Sequence, residues 1–212
     1  NRLLTTIAYR INGKTTYAME GSIFIAGAGV QWLRDRMKFF KKAPETEKIV
    51  KSLKDNNNIY LVPAFTGLGA PYWDANARGV LSGITRDTSP KEIVRATIEA
   101  VAYQTYDLFE AMKHDGLRPK IVKVDGGMVM NNWFSQFLSD IVNVKVLRPK
   151  VQETTALGAA FMAGLQIGVY KSLKDISKNW HLDKKFSPKM KNPLRNKLLK
   201  GWSSAIKKTL SN

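Results

Sequence analysis

The sequence has no cysteine among its 212 residues and only two histidines. A disulfide framework and a thiolate metal site are therefore excluded. His114 and His181 lie far apart and lack the spacing of metal ligands, so we predict no metal-ligating residues in this chain. No apolar run approaches the roughly 20 residues that a membrane-spanning helix needs. We therefore expect a cytoplasmic protein without a membrane span.

Acidic residues are also scarce, because 17 Asp and Glu stand against 34 Lys and Arg and give a formal net charge of +17. Such a charge raises the alternative of a basic nucleic-acid-binding module. The lysines of the last forty residues, however, alternate with Leu, Phe and Trp at helical spacing, which is typical of a solvated helix face. We therefore predict no nucleic-acid partner; an affinity that falls steeply with salt would indicate one.

Hydrophobic residues make up 44% of the chain, which is enough for a globular core. Leu3–Ile11 and Thr15–Met19 read as two strands of a hairpin around Asn12-Gly13. A chain that begins in mid-hairpin is expected to be a fragment of a longer protein. Helices and short strands then alternate, which predicts an α/β fold with a mixed sheet and helices on its faces. We divide the chain into a domain over residues 1–170 and a lysine-rich helical extension over residues 171–212 that packs on it.

Local sequence patterns mark three of the predicted helices. Val30, Leu33 and Met37 form the apolar face of a helix that is predicted to run to about Phe40. A capping box from Ser89 to Glu92 begins a long helix. The small residues of Thr155–Gly164 predict close packing of a helix on a sheet.

The candidate ligand site lies where the strand Ile121–Val124 is followed by Asp125-Gly126-Gly127 and a helix from about Asn131. Adjacent glycines let the backbone approach a ligand closely. The N–H groups at the start of the following helix would suit a phosphate or a nucleotide edge. The spacing matches neither GxxxxGK[ST] nor GxGxxG. This stretch alone leaves a ligand site and a plain strand-to-helix turn equally open.

Several longer segments carry a family resemblance. Gly79–Ile84, followed after seven residues by Glu92–Glu99, resembles the second signature of the FGGY carbohydrate kinases. The loop Phe65–Asp74 looks like that of the family members that phosphorylate glycerol, whereas the sugar kinases usually differ here. The remaining segments that are similar to these kinases are Glu20–Phe24, Gln31–Asp35, Val124–Gly127 with Asn131-Asn132, and Thr154–Ala160.

The resemblance implies two actin-like, ribonuclease-H-like domains with a cleft between them, of which this chain resembles the C-terminal, ATP-binding one. The implied activity is transfer of phosphate from ATP to glycerol, giving sn-glycerol 3-phosphate. The family's catalytic aspartate and glycerol-binding residues, and most ligands of Mg2+, would precede Asn1. We therefore expect no catalytic residue here and an inactive chain on its own. The full-length enzyme is expected to be a homo-oligomer, and a related FGGY kinase for another sugar or polyol stays the alternative.

The resemblance also implies a nucleotide half-site. Gly27 and Gln31 match the family's positions near the phosphates and sugar of ATP, and Gly127 and Asn131 match those at the adenosine end. An amide side chain can both donate to and accept from a ribose or base. Asp125 and Gly126 are expected to have structural roles. None of Asp74, Asp87, Asp125 and Asp140 is expected to be the catalytic base.

Overall fold

The computed structural model describes residues 2–211, so Asn1 and Asn212, the outer limits of the two predicted units, lie outside the described residues. Helices and strands alternate along most of the chain after an initial hairpin, as predicted. The elements, in chain order, are β1 (Leu4–Ile11), β2 (Lys14–Glu20), α1 (Gly27–Asp35), α2 (Glu45–Lys51), β3 (Tyr60–Val62), β4 (Val80–Ser82), α3 (Pro90–His114), β5 (Ile121–Lys123), a 3-10 turn (Gly127–Met130), α4 (Asn132–Val142), β6 (Lys145–Pro149), α5 (Thr154–Gln166), α6 (Leu173–Ser177), β7 (Leu182–Phe186) and α7 (Asn192–Thr209).

The strands form three small sheets. β1 pairs with β2 and β3 pairs with β4, both antiparallel. β5 runs parallel to β6, and β7 runs antiparallel to β6, so this third sheet is mixed, as predicted. The hairpin was expected to belong to the mixed sheet, but among residues 2–211 it forms a sheet of its own. The free edges of β1 and β5 have no strand partner within that range.

The long helix α3 is the centre of the core. The predicted capping box is confirmed, because the Ser89 hydroxyl accepts from the Lys91 N–H and the Glu92 carboxylate accepts from the Ser89 N–H. Most of the first four turns of α3 are buried, against α1, α2, α4 and β3. None of the helices in residues 2–211 is both long and apolar enough to cross a bilayer.

Helix α7 lies close against β3 and completes the core. Trp202 is buried and stacks on Tyr103 of α3, with ring centroids 5.3 Å apart. Gly201 allows this approach, because a Cβ at that position would lie 2.2 Å from the Tyr60 hydroxyl oxygen. The division of the chain at residue 170 stays a prediction. Two elements of residues 171–212, β7 and α7, pack on the rest of the fold.

Two helix predictions were wrong in detail. Helix α1 ends at Asp35 rather than near Phe40, because Lys38 adopts a left-handed φ of 59° that ends the helical path, and Met37 is exposed. Helix α5 was expected to bury its alanines on a sheet. Ala156, Ala159, Ala160 and Ala163 are instead exposed. The helix contacts the segment after it, where Phe161 meets Tyr170 edge-on at 5.5 Å.

The sequence did not predict β7, because its residues include Asp183, Lys184 and Lys185 and have little strand character. All but Phe186 are exposed. Charged residues are well tolerated in such an edge strand, where they also prevent further pairing.

A half-buried carboxylate, Asp107, connects α3 to two other parts of the fold. Its Oδ2 atom accepts from the Tyr72 hydroxyl at 2.9 Å and from the Trp202 Nε1–H at 2.7 Å. Burial raises the pKa of Asp107 from 3.8 to about 6, although both hydrogen bonds oppose the change. The folded chain therefore binds this proton more tightly than the unfolded chain. The associated stability is fully present below about pH 4 and is lost as the pH rises through about 6.

We expect Asp107→Asn to flatten the dependence of stability on pH, because the amide oxygen can accept the same two hydrogen bonds without carrying a charge. A difference of about two pKa units corresponds to about 3 kcal/mol. The free energy of unfolding of the unsubstituted chain should therefore fall by about that amount, relative to the variant, between pH 4 and pH 7. Denaturant unfolding followed by circular dichroism measures both curves. Asp87→Asn, at an exposed aspartate, is the control, and parallel curves for Asp107→Asn would contradict the assignment.

Candidate functional site

All four residues predicted for nucleotide binding line one cavity of about 470 Å³. The cavity lies between α1, the start of α2 and the turn that leads into α4, and Ile98 of α3 forms its floor. The sequence places these elements up to a hundred residues apart, and packing on α3 brings them together. The residues that line the cavity are Gly27, Val30, Gln31, Arg34, Ala43, Pro44, Thr46, Glu47, Ile98, Gly127, Met128, Met130 and Asn131.

Helix α1 contributes one face and its N-terminus. Gly27, Val30, Gln31 and Arg34 recur at the spacing that places residues on one side of a helix. The cap residue Ala26 provides no side-chain acceptor for the first N–H groups of the helix. These N–H groups and the helix dipole make this end of the cavity suitable for an anion. Arg34 was not predicted, although helical spacing from Gly27 and Gln31 would have found it.

The double glycine forms a turn of a different kind from the one expected. Gly126 has a φ of 83°, which only glycine adopts without strain, and a 3-10 turn over Gly127–Met130 then precedes α4. Gly126 and Asp125 do not belong to the cavity lining. The Asp125 carboxylate accepts a hydrogen bond from the Thr154 hydroxyl at the start of α5. The hydrogen bond of Asp125 and the backbone conformation of Gly126 are compatible with the structural roles that were expected of them.

The start of α4 is not a free anion site, and this part of the prediction was wrong. The Asn131 Oδ1 atom caps the helix by accepting from the Phe134 N–H at 3.0 Å. The Glu47 Oε2 atom accepts from the Asn132 N–H at 3.2 Å. Burial favours a higher pKa for Glu47, but hydrogen bonds from Lys51 and Asn132 outweigh it and hold the pKa below its usual value. An ionised carboxylate therefore occupies one of the N–H groups that were expected to suit a phosphate or a nucleotide edge.

The start of α2 supplies a wall that the sequence did not predict. Ala43 and Pro44 face the cavity beside the methionines of the turn, so this end is largely apolar and suits a flat aromatic ring. Thr46 is buried and accepts from the Asn131 Nδ2–H at 3.3 Å. Residues 46 and 131 are 85 positions apart, and no local pattern indicates their contact.

The aspartates excluded as catalytic bases lie outside the cavity lining. Asp74 accepts hydrogen bonds from the backbone of its own loop and from Ser211, and Asp140 accepts from the N–H groups of Lys189 and Met190. Asp87 is exposed. Across residues 2–211, no three His, Cys, Asp or Glu side chains converge to hold a metal ion.

The chain is similar to known proteins over most of its length. Residues 4–167 match the family model described as the C-terminal domain of the FGGY family of carbohydrate kinases. Over 211 residues, the whole chain is 56% identical to glycerol kinase 1 of Pseudomonas aeruginosa and covers 43% of that protein. A glycerol kinase of Clostridium botulinum is 53% identical over 211 residues, which are 99% of this chain and 42% of that protein.

Solved structures show the same similarity in three dimensions. The crystal structure of Plasmodium falciparum glycerol kinase with ADP matches 99% of this chain and 42% of its own, with a TM-score of 0.88 and 38% identity. A ligand-bound xylulose kinase of Lactobacillus acidophilus matches 96% of this chain and 41% of its own, with a TM-score of 0.79 and 25% identity. The predicted actin-like ATPase fold is thereby confirmed.

The chain spans about 43% of the length of the curated relatives that it matches. The family match covers most of the chain, and the identity to these relatives exceeds half over its full length. The chain belongs to the FGGY family of carbohydrate kinases.

Proposed function

We propose that this chain is the ATP-binding domain of a glycerol kinase, an enzyme that transfers phosphate from ATP to glycerol and yields sn-glycerol 3-phosphate. The observation that carries the proposal is the convergence of Gly27, Gln31, Gly127 and Asn131 on one cavity. Glycerol kinases at 51–56% identity favour glycerol over the sugars of the more distant xylulose kinases, of which the one described above is 25% identical.

The cavity gives the nucleotide a direction. The uncapped start of α1 at Gly27 favours the phosphates. Gln31 follows one helical turn later on the same face of α1, where it can contact the ribose. The apolar end between Pro44, Met128 and Asn131 suits the adenine ring. This arrangement supports the order of contacts that the resemblance implied.

The chain's own residues bind and orient the nucleotide in this proposal. Transfer of a phosphoryl group depends mainly on positioning and on stabilisation of developing charge. Glu47, the carboxylate of the cavity lining, is held by Asn132 and Lys51 at the α4 end, away from the start of α1. The base, the glycerol contacts and most Mg2+ ligands would come from the rest of the enzyme. A cytoplasmic, homo-oligomeric enzyme is part of the same proposal.

Substitution of Gly127 by Leu should abolish ADP binding to the chain. A Cβ at Gly127 would meet no protein atom within 4 Å, so the leucine side chain can occupy the cavity without disturbing the fold. A loss of at least about tenfold in affinity, or about 1.4 kcal/mol, is expected in isothermal titration calorimetry. Gly158→Leu is the matched control, because that position is equally open and lies outside the cavity lining. An unchanged affinity in Gly127→Leu would argue against the nucleotide site.

The 212-residue chain should not phosphorylate glycerol by itself. No carboxylate of the cavity lining is free to accept the proton of a glycerol hydroxyl, because Glu47 is already bound within the fold. A coupled assay for ADP release, with and without glycerol, makes the measurement. A complete glycerol kinase is the positive control, and glycerol-dependent ADP release from the chain alone would refute the expectation.

A further inference from the structure

The amide of Asn131 is fixed by two contacts that require opposite chemistry. Its Oδ1 atom accepts from the Phe134 N–H at 3.0 Å, and its Nδ2 atom donates to Thr46 Oγ1 at 3.3 Å. The Thr46 hydroxyl gives its own proton to the Ala43 carbonyl at 2.7 Å, so Oγ1 can only accept from Asn131. A flipped amide would place an oxygen against that acceptor and an NH2 group against the Phe134 N–H.

The neighbouring residue of α2 secures the same connection. The Glu47 carboxylate accepts from the Asn132 N–H at 3.2 Å and forms an ion pair with Lys51 of its own helix. Thr46 and Glu47 are adjacent in sequence and hold the adjacent residues Asn131 and Asn132. Helix α2 is therefore attached at two points to the start of α4.

This arrangement determines what the cavity offers to a base. One hydrogen of the Asn131 Nδ2 group is used by Thr46, and the second remains for a ligand in the cavity that Asn131 lines. The Oδ1 atom is already used by the helix cap. With its orientation fixed by these two contacts, Asn131 offers its second amide hydrogen to the cavity, whereas a freely rotating amide could turn either its NH2 group or its oxygen towards a ligand.

We propose that Thr46, supported by Glu47, is a positioning residue that fixes Asn131 as a donor and thereby sets the base specificity of the nucleotide site. The proposal rests on the proposed function. At position 1 adenine carries an acceptor nitrogen and hypoxanthine an N–H donor, so a fixed donor that faces this position pairs with adenine and opposes the N–H of hypoxanthine. Release of the amide would allow it to accommodate either base.

The test compares the affinities of ADP and IDP for the full chain by calorimetry. Thr46→Val removes the acceptor at almost constant volume, so the preference between ADP and IDP should fall to within about twofold of equality. The affinity for the preferred nucleotide should fall about three- to tenfold, as expected for one hydrogen bond. Thr46→Ser keeps the hydroxyl and should restore the preference.

A double-mutant cycle tests the connection between the two side chains. Asn131→Asp keeps an oxygen for the helix cap but has no amide hydrogen for Thr46. In that background, Thr46→Val should cause no further loss of ADP affinity, because there is no amide to hold. Additive losses in the two single variants would overturn the proposal.

Thr209→Val is the control for loss of a buried threonine hydroxyl. Thr209 is 5% exposed, compared with 4% for Thr46, and its hydroxyl also donates to a backbone carbonyl, that of Ala205 at 2.9 Å. It lies in α7, outside the cavity lining. We expect a lower unfolding temperature for Thr209→Val with an unchanged ADP-to-IDP ratio.

Three results would refute the inference. Equal affinity of the unsubstituted chain for ADP and IDP would show that the site does not read position 1. An equal loss of affinity for both nucleotides in Thr46→Val would indicate that Thr46 has a purely structural role. Failure of the unsubstituted chain to bind either nucleotide would refute the proposed nucleotide site itself, and this inference with it. The first two results, in contrast, would refute this inference alone.

Discussion

The hydrogen bonds and ion pair of the buried Glu99 carboxylate are the interactions on which the cavity depends. The carboxylate is fully buried in α3 and accepts from Arg95 Nε at 2.7 Å, the Tyr103 hydroxyl at 3.0 Å and Asn56 Nδ2 at 3.2 Å. Burial raises the pKa of Glu99, while the ion pair with Arg95 and these hydrogen bonds oppose the rise. A buried charge that loses its partner costs about 3–5 kcal/mol. The donors must therefore be in place together, which fixes the segment after α2 against α3.

Helix α2 has only seven residues and would not be stable in isolation. Its C-terminal side is held by Arg95, whose Nη1 atom donates to the Leu53 carbonyl at 2.9 Å and whose guanidinium lies 5.1 Å from the centroid of the Trp133 ring in α4. Its N-terminal side is held by the Thr46 and Glu47 contacts to α4. Polar contacts at both ends therefore set the position of this cavity wall, while apolar packing on α3 supplies the floor.

The sequence predicted the features whose cause is local. The capping box of α3, the hairpin turn and the glycine-rich connection each arise within a few residues, and the family resemblance identified Gly27, Gln31, Gly127 and Asn131. The N-cap role of Asn131 was missed, although an Asn before an apolar helix is a recognised signal. The contacts of Thr46 and Glu47 could not be predicted, because they join residues 85 positions apart and depend on how α2 and α4 pack on α3.

The two helix N-termini that face the cavity differ in charge, and this difference orients the proposed ligand. At α4, the N–H of Asn132 is occupied by the Glu47 carboxylate, so a phosphate there would meet a like charge at a cost of about 1–4 kcal/mol at close range. At α1 the dipole would stabilise it by about 0.3–1 kcal/mol, because no side chain caps that helix. In the proposed site, Glu47 directs the phosphates towards Gly27, and Thr46, its neighbour in α2, orients the amide that meets the base. On this proposal, one short helix determines both the direction in which the nucleotide lies and the group that reads its base.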